Sequence, residues 1–427
     1  MATLNRRQFL HTSGAVSSIA PLILVSQSGA SPNERINHAV IGAGGQGKTH
    51  CNAIRSLAEL AQITAVCDVD PVRRQAIAQH VGIQSESQIH DDYRRILDDK
   101  SIDTVSITTP DHWHTKIAME AILAGKQVYV EKPCCHNILE GMQLVKLATM
   151  KNTCVQHGTQ SRSGEGIKNA IEFLHSGKLG KIRMAKAINH QLRGPIGKAL
   201  PESPPDGVNY DRWLGPAPEH AFTRNRWHYN WHWFWDYGTG DIGNDGIHQI
   251  DVARWGLGVQ FPLQISASGG QLFYEDDHET PDTQTVIYDF GHCHLMYEMR
   301  LWTDYKMEGH DNGTVFYGEN GRLDIGREGC LVTWKDGPQE KIGGGSDLTG
   351  NFRNFLECVK NNTPQHLNAP IAEGLASAAL PHLGNIAVRV QSHLRLAPQS
   401  YQILENPSAN ALLGRDYRKG YELPQIG

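Results

Sequence analysis

Two short segments of the sequence carry residues suited to oxidising an alcohol. That reaction needs a base for the hydroxyl proton and a donor that stabilises the charge developing on the oxygen. Lys132 follows a short apolar segment and can supply the donor. On a helix predicted from about Gly246, His248 has Asp245 three residues before it, and a histidine beside a carboxylate suits proton transfer near neutral pH. We predict Lys132, His248 and Asp245 as catalytic residues.

Each of these residues also has a purely structural interpretation. Lys132 would be a surface lysine at a turn, and Asn244 or Asp245 would cap the helix at Gly246. Asn244 lies one helical turn before His248 and shares its face. We therefore place Asn244, Asp245 and His248 together among the predicted substrate-binding residues.

A glycine-rich segment nearer the N-terminus predicts a dinucleotide site. Gly42, Gly44 and Gly47 follow an apolar segment and open a predicted helix, whose N-terminus would face a pyrophosphate. Asp68 ends the next predicted strand, where its carboxylate can accept hydrogen bonds from the ribose hydroxyls. The alternative is a tight turn in a Rossmann-like domain that has lost its ligand. The remaining predicted cofactor contacts of this segment are Gly45 and Gln46.

The charge of Asp68 also bears on the choice of cofactor. A carboxylate at that position repels the 2′-phosphate of NADP and accepts from the free 2′-hydroxyl of NAD, so we predict NAD. Arg73 and Arg74 are close in sequence and could soften this preference.

The order of the predicted elements places these residues in two domains. Strands alternate with helices over residues 34–157, which predicts a Rossmann domain with a doubly wound parallel sheet. From about Met184 the predicted strands follow one another without helices between them. We predict a C-terminal α/β domain over residues 158–427 for substrate binding and oligomerisation, with a mostly antiparallel open sheet.

Two segments of the second domain offer further substrate contacts. Gln160 and Arg162 could bind hydroxyl or carboxylate groups, or lie in a solvated loop. Between Trp227 and Tyr237 most residues carry aromatic or imidazole rings, which suits either a buried cluster or a platform for a sugar. We select Trp235 from this segment. His228 and His232 have helical spacing for a metal ion, but no third ligand is evident, so we predict no metal site.

The first 30 residues have the pattern of a twin-arginine export signal. Arg6 and Arg7 precede an uncharged stretch and then the small residues Ser28-Gly29-Ala30. The alternative is a chance arginine pair before a buried helix. Because such proteins fold in the reducing cytosol before export, we interpret most of the eight cysteines as buried free thiols.

Three motifs complete a more specific pattern. Thr109-Pro110-Asp111-His112-Trp113-His114, then Ala121-Ile122-Leu123-Ala124-Gly125-Lys126, then Glu131-Lys132-Pro133 together resemble the glucose–fructose oxidoreductase/inositol dehydrogenase/MocA family. The twin-arginine start resembles the exported branch of that family. The resemblance implies the two-domain α/β architecture, NAD or NADP, sugar or cyclitol substrates, and homodimers or homotetramers.

The resemblance also assigns roles to single residues. It implies that Lys132 is the active-site lysine and contacts the cofactor, that the Lys132–Pro133 peptide is often cis, and that His248 is the family histidine. The chain departs from the family at Asn244, where an Asp is usual. His114 would contact the cofactor or merely begin a helix. Further implied cofactor contacts are Thr109, Pro110 and Glu131.

We therefore predict an exported NAD-dependent oxidoreductase that acts on a sugar, cyclitol or glycoside hydroxyl. Because free NAD is scarce outside the cytosol, we expect the cofactor to be tightly bound and recycled in place. The alternatives are a redox-neutral NAD-dependent glycosidase or lyase, and a non-catalytic sugar-binding protein of the same fold. A net charge of −5 favours no nucleic-acid partner, and no segment after the signal predicts an integral membrane span.

Overall fold

The computed structural model describes residues 35–426, which belong to one compact unit. The predicted export signal, residues 1–30, lies outside the described residues. Among the helices between residues 35 and 426, none has the length and apolar character needed to cross a membrane. All eight cysteines fall in this part of the chain, and each is a buried free thiol, as predicted.

The first sheet is fully parallel and has six strands in the order β3-β2-β1-β4-β5-β6. This is the doubly wound order of a Rossmann fold, and its direction reverses between β1 and β4, where such sheets bind their ligands. The predicted parallel sheet is confirmed. The strands are β1 (Ile36–Ile41), β2 (Ala61–Cys67), β3 (Ile89–His90), β4 (Thr104–Ile107), β5 (Gln127–Val130) and β6 (Val155–His157).

Five helices connect these strands. Asp70 caps α2 by accepting from Val72 N at 2.8 Å, and Pro71 fits the first helical position. Helix α1 ends at Arg55 because the chain must reverse before β2 and Leu57 turns into the core. The helices are α1 (Gly45–Arg55), α2 (Pro71–Val81), α3 (Arg94–Asp98), α4 (Asp111–Leu123) and α5 (Ile138–Lys151).

The second sheet has nine strands in the order β14-β13-β12-β11-β7-β10-β9-β8-β15. All neighbouring strands are antiparallel except β7 and β10, so the predicted mostly antiparallel sheet is confirmed. Its strands are β7 (Ile182–His190), β8 (Gln264–Gly270), β9 (Thr283–Asp289), β10 (His294–Arg300), β11 (Asn312–Gly318), β12 (Gly321–Gly326), β13 (Gly329–Trp334), β14 (Gln339–Gly343) and β15 (Leu394–Arg395).

The helices of the second half pack against both sheets. Helix α10 contacts β8 of the second sheet and α5 of the first layer, whereas α9 brings Phe352 onto Tyr129 with ring centroids 4.1 Å apart. One continuous core therefore joins the two layers. These helices are α6 (Glu165–His175), α7 (Tyr210–Leu214), α8 (Ile247–Leu257), α9 (Leu348–Asn361), α10 (Ile371–Arg389) and α11 (Pro407–Ala411).

The helix that carries His248 begins with an irregular turn. A π-helical segment, Ile242–Gly246, leads directly into α8, and no side chain caps α8 at Gly246. The capping alternative for Asn244 and Asp245 therefore fails, because both side chains bind other partners. Helical π turns occur frequently at functional sites.

Candidate functional site

A cavity of about 340 Å³ lies at the carboxyl ends of the strands of the first sheet. One end is lined by the glycine-rich turn after β1 and by Asp68 at the end of β2. The other end is lined by Lys132, Asn244 and the ring-rich segment at Tyr229. Here the first end is called the nucleotide half and the second the substrate half.

The glycine-rich turn has the shape that a dinucleotide requires. Gly42 adopts φ +102°, and a methyl group on Gly47 would lie 2.0 Å from the Gly42 carbonyl oxygen, so α1 packs against β1 without space for a side chain. A methyl group on Gly45 would meet nothing within 4 Å, which leaves open space at the N-terminus of α1. Uncapped helix amides facing open space form an anion site, and this arrangement fits a pyrophosphate.

Asp68 lies at the edge of this space with its carboxylate held by the backbone. Its Oδ2 accepts from Ala43 N at 2.7 Å and its Oδ1 from Asp70 N at 2.9 Å. Burial raises the pKa of the Asp68 carboxyl, whereas those amides and the charge of Arg73 oppose the rise. Arg73 also lines the nucleotide half, beside Gly44.

Glu131 is tied to the glycine-rich helix. Its Oε1 accepts from Gln46 Nε2 at 2.9 Å and pairs with His50 Nε2 at 2.8 Å. Burial by itself raises the pKa of this carboxyl, but the hydrogen bond from His50 and the charges of His50 and Lys132 bring it well below its usual range. Glu131 thus connects α1 to the loop that carries Lys132, and it lines the cavity.

Thr109, Pro110 and His114 also line the cavity. The ring nitrogens of His114 lie 2.8 Å from the Thr109 carbonyl oxygen and 2.7 Å from that of Pro133, so the ring bridges two loops of the site. Burial lowers its pKa. His114 lies in the first turn of α4, so both of its predicted roles, cofactor contact and helix start, agree with its position.

Lys132 is held at the boundary between the two halves. Its Nζ donates to the main-chain oxygen of Asn244 at 2.5 Å and to Asn244 Oδ1 at 3.2 Å. The Lys132–Pro133 peptide is cis, in agreement with the expectation from the family. Asn244 Nδ2 donates in turn to Asp241 Oδ1 at 2.9 Å. The Asn244 side chain therefore links the lysine ammonium to a buried carboxylate.

His248 and Asp245 lie close behind this pair and outside the cavity lining. The half-buried ring of His248 has no hydrogen bond to any other residue between 35 and 426, and burial, reinforced by the charge of Lys132, lowers its pKa to about 4. The imidazole is therefore neutral near pH 7 and keeps a free lone pair. The Asp245 carboxylate accepts from Arg193 and Gln191 instead of facing His248 directly.

Three predicted substrate contacts lie away from the cavity lining. Arg162 is buried and forms a forked ion pair with Asp251 at 2.8–3.0 Å, because an internal guanidinium needs a counter-charge. Gln160 begins a short 3-10 turn, and its carbonyl oxygen accepts from the main chain at residue 347. The Trp235 ring packs under Arg389, with the guanidinium 4.8 Å from the ring centroid.

The aromatic wall of the substrate half comes from other residues of the same segment. Tyr229, Trp231 and His232 line the cavity, and the rings of Trp231 and His232 stack with centroids 3.6 Å apart. The composition of the segment indicated such a platform, but not which rings would face inward. His232 Nδ1 bonds to the Tyr229 carbonyl oxygen and His228 bonds to Asp70. Within residues 35–426 no three His, Cys, Asp or Glu side chains are arranged to hold a metal ion.

Two models of one protein family match this chain. Residues 36–159 match the NAD-binding Rossmann fold of the GFO_IDH_MocA oxidoreductase family, and residues 196–423 match the C-terminal alpha/beta domain of the same family. The two matches cover most of the chain. The protein therefore belongs to the Gfo/Idh/MocA family, and it is an NAD-dependent oxidoreductase.

Individual proteins similar to this chain include two sequence relatives and one solved structure. Inositol 2-dehydrogenase 2 of Saccharopolyspora erythraea is 25% identical over 378 residues, which are 85% of this chain and 97% of that protein. Glycosyl hydrolase family 109 protein 1 of Shewanella sp. ANA-3 is 28% identical over 221 residues, 45% of this chain and 48% of that protein. The WlbA dehydrogenase of Chromobacterium violaceum, solved with NADH and UDP-GlcNAcA, shares the fold with a TM-score of 0.66 at 20% identity, covering 86% and 97% of the two chains.

Proposed function

We propose that this protein oxidises a CH–OH group of a sugar, cyclitol or glycoside. The observation that carries the proposal is the position of the Lys132 ammonium, which lies between an open dinucleotide cradle and a wall of aromatic rings. Aromatic faces pack well against the apolar faces of pyranoses. The inositol 2-dehydrogenase relative points to the same substrate class.

Residues in and behind the substrate half can supply the proton acceptor and the hydrogen-bond donor that the oxidation requires. In this proposal Lys132 donates to the substrate oxygen and stabilises its developing charge. The neutral imidazole of His248 accepts the hydroxyl proton, and Asp245 supports the resulting positive charge from behind. NAD, when bound in the nucleotide half, supplies the hydride acceptor. Asn244 sets the position of Lys132 through its two contacts.

A redox-neutral reaction on a glycoside is the second candidate. In that chemistry a sugar carbon is oxidised, the leaving group is eliminated, water adds, and the carbon is reduced again. The glycosyl hydrolase family 109 relative favours this candidate. A tightly bound cofactor that is recycled in place agrees with both candidates. In the first, a second carbonyl substrate takes the hydride back from the bound cofactor, and in the second the same sugar carbon takes it back, so neither requires free NAD.

The experiment that separates these candidates uses purified protein as isolated. It is incubated with free sugars, inositols and aryl glycosides, and products are identified by mass. Oxidised products two mass units lighter than the substrate support the first candidate, whereas hydrolysed products of unchanged oxidation state support the second. A protein that binds sugars and converts none of them would contradict both candidates.

Two further parts of the proposal rest on the sequence alone. The Arg6-Arg7 pair supports export by the twin-arginine pathway, and family membership supports a homodimer or homotetramer. Replacing both arginines by lysine should keep the protein in the cytosol, as judged by cell fractionation. Light scattering on the purified protein gives the oligomeric state, and a strict monomer would contradict the second part.

A further inference from the structure

Three segments from outside the Rossmann layer reach the nucleotide half of the cavity. They are the ring-rich segment at Trp227 and His228, helix α7 at Arg212 and Trp213, and the C-terminal segment at Tyr421. Each lines the cavity beside residues that follow β2, β3 or β4. In doubly wound sheets the acid at the end of β2 binds the ribose of the adenosine, so these segments lie at the adenosine end.

The first contact joins His228 to the start of α2. His228 Nε2 lies 2.8 Å from Asp70 Oδ2, and the Asp70 side chain is 9% exposed. Burial lowers the pKa of His228 to about 4, so the ring is neutral and donates its Nε2 proton to the carboxylate. The Trp227 ring lies against His228 with centroids 3.7 Å apart. Asp70 is two residues from Asp68, so this contact lies beside Asp68 and Arg73, which line the nucleotide half.

The second contact joins α7 to the loop after β3. Arg212 Nη1 lies 2.6 Å from Asp91 Oδ2, and Arg212 Nη2 lies 3.6 Å from Asp92 Oδ2. The neighbouring Trp213 carbonyl oxygen accepts from Trp113 Nε1 at 3.0 Å, which attaches α7 to α4 as well. Arg212, Asp91 and Asp92 all line the cavity.

The third contact comes from the C-terminal segment. The Tyr421 ring meets the Trp113 ring edge to face, with centroids 5.7 Å apart. Lys116 Nζ donates to the main-chain oxygen of Glu422 at 2.8 Å, and this lysine is itself buried. The last described residues of the chain therefore return to α4 beside the nucleotide half.

We propose that these three contacts form a clasp that retains the cofactor by its adenosine end. The proposal rests on the proposed function, because it takes NAD to be the ligand of the nucleotide half. A ligand enclosed between the Rossmann layer and the clasp leaves only after at least one contact opens. The clasp therefore slows release of any molecule that carries ADP-ribose, whether or not a nicotinamide is attached.

The test measures release from the full-length protein with His228→Ala. Protein loaded with radiolabelled NAD is diluted into excess unlabelled NAD, and retained label is followed with time. Loss of a hydrogen bond to a carboxylate should speed release about tenfold or more. His220→Ala is the matched control, because His220 pairs at 2.7 Å with Asp236 of the ring-rich segment but does not line the cavity. The control should release NAD at the wild-type rate.

A second variant, Arg212→Ala, and a second ligand, ADP-ribose, test the clasp independently of His228→Ala. Arg212→Ala removes a partly exposed side chain and should also speed release, even if His228→Ala does not fold by circular dichroism. ADP-ribose should leave both variants faster by a similar factor, because the clasp acts on the adenosine end. Equal release from these variants and from His220→Ala would overturn the clasp. A wild-type protein that binds neither NAD nor ADP-ribose would instead overturn the proposed function.

Discussion

The two halves of the cavity differ in whether backbone groups or side chains form them. The nucleotide half is formed largely by backbone: a glycine turn, helix amides, and the carboxylate of Asp68 fixed by two main-chain N–H groups. The substrate half is formed by side chains from distant segments, with Lys132 held by Asn244 and α8 held by the pair Arg162–Asp251. A change in the first half should alter binding of the cofactor, whereas a change in the second should alter turnover or folding.

The largest effect on turnover should follow from removing the residues proposed to donate to the substrate oxygen and to accept its proton. Lys132→Ala and His248→Ala should each lower turnover by roughly 100- to 10,000-fold, the range for a lost acid or base group. The content of bound NAD should remain close to that of the wild type, because the adenosine end is untouched. Steady-state kinetics and the absorbance of extracted cofactor check both statements.

A lysine outside the site provides the control for that experiment. Lys151 is exposed at the end of α5, and Lys151→Ala should leave turnover unchanged. Wild-type turnover in Lys132→Ala or His248→Ala would remove that residue from the mechanism.

The next effect concerns folding of the substrate half. Arg162→Ala removes the guanidinium paired with the buried Asp251 carboxylate, which keeps its hydrogen bond from Ser377, and should lower the free energy of unfolding by about 3–5 kcal/mol. Arg224→Ala breaks an exposed pair with Glu202 and should cost less than about 1 kcal/mol. Urea denaturation of both variants measures the difference. Equal stabilities would mean that the buried pair does not hold α8 in place.

A smaller effect should appear in the choice of cofactor. Asp68→Asn keeps an acceptor for Ala43 N but removes the charge that repels a 2′-phosphate, and Arg73 is then left to attract it. The ratio of NADP to NAD affinity should rise about a hundredfold, since like charges brought together cost several kcal/mol. Fluorescence titration with the two reduced cofactors measures the ratio. An unchanged ratio would show that Asp68 does not face the ribose.

The smallest effect should be the response to mild acid. Because burial lowers the pKa of His248 to about 4, its imidazole stays neutral as the pH falls from 7 to about 5. As the pH is lowered, kcat/KM should therefore fall with a midpoint near pH 4. It should not fall near 6.5, which is the ordinary pKa of histidine. The pH profile of kcat/KM, which reports groups of the free enzyme, tests this, and a midpoint near 6.5 would mean that the base is a more exposed group.

The same contrast explains which features the sequence could predict. The glycine turn and five of the six strands of the first sheet follow from local patterns, whereas the two-residue strand β3 was not predicted. The hairpin strands β12 to β14 were not predicted, because they are short and several begin or end at a glycine. Helix α6 was not predicted either, although its buried residues Ile167, Ala170, Ile171 and Leu174 recur at helical spacing. Contacts between residues far apart in sequence could not be predicted, because no local sequence pattern indicates them. Arg162 pairs with Asp251 across 89 residues, and Tyr421 meets Trp113 from the far end of the chain.

The ring-rich segment shows why composition alone was insufficient. Its aromatic content indicated a sugar platform, but a 3-10 turn at Asn230–Trp233 decides which rings face the cavity. Trp231 and His232 line the substrate half, whereas Trp235 packs against Arg389. A turn of that kind depends on tertiary packing and cannot be located from periodicity.

The central claim is that this protein moves a hydride between a carbohydrate carbon and a bound nicotinamide. The most direct measurement incubates the protein as isolated with sugars and inositols deuterated at their CH–OH carbons, and then determines the mass of the extracted cofactor. The account predicts that at least one substrate transfers deuterium to the nicotinamide, and that Lys132→Ala slows the transfer by about 100-fold or more. Cofactor that stays free of deuterium with every carbohydrate, although NAD is bound, would contradict the account.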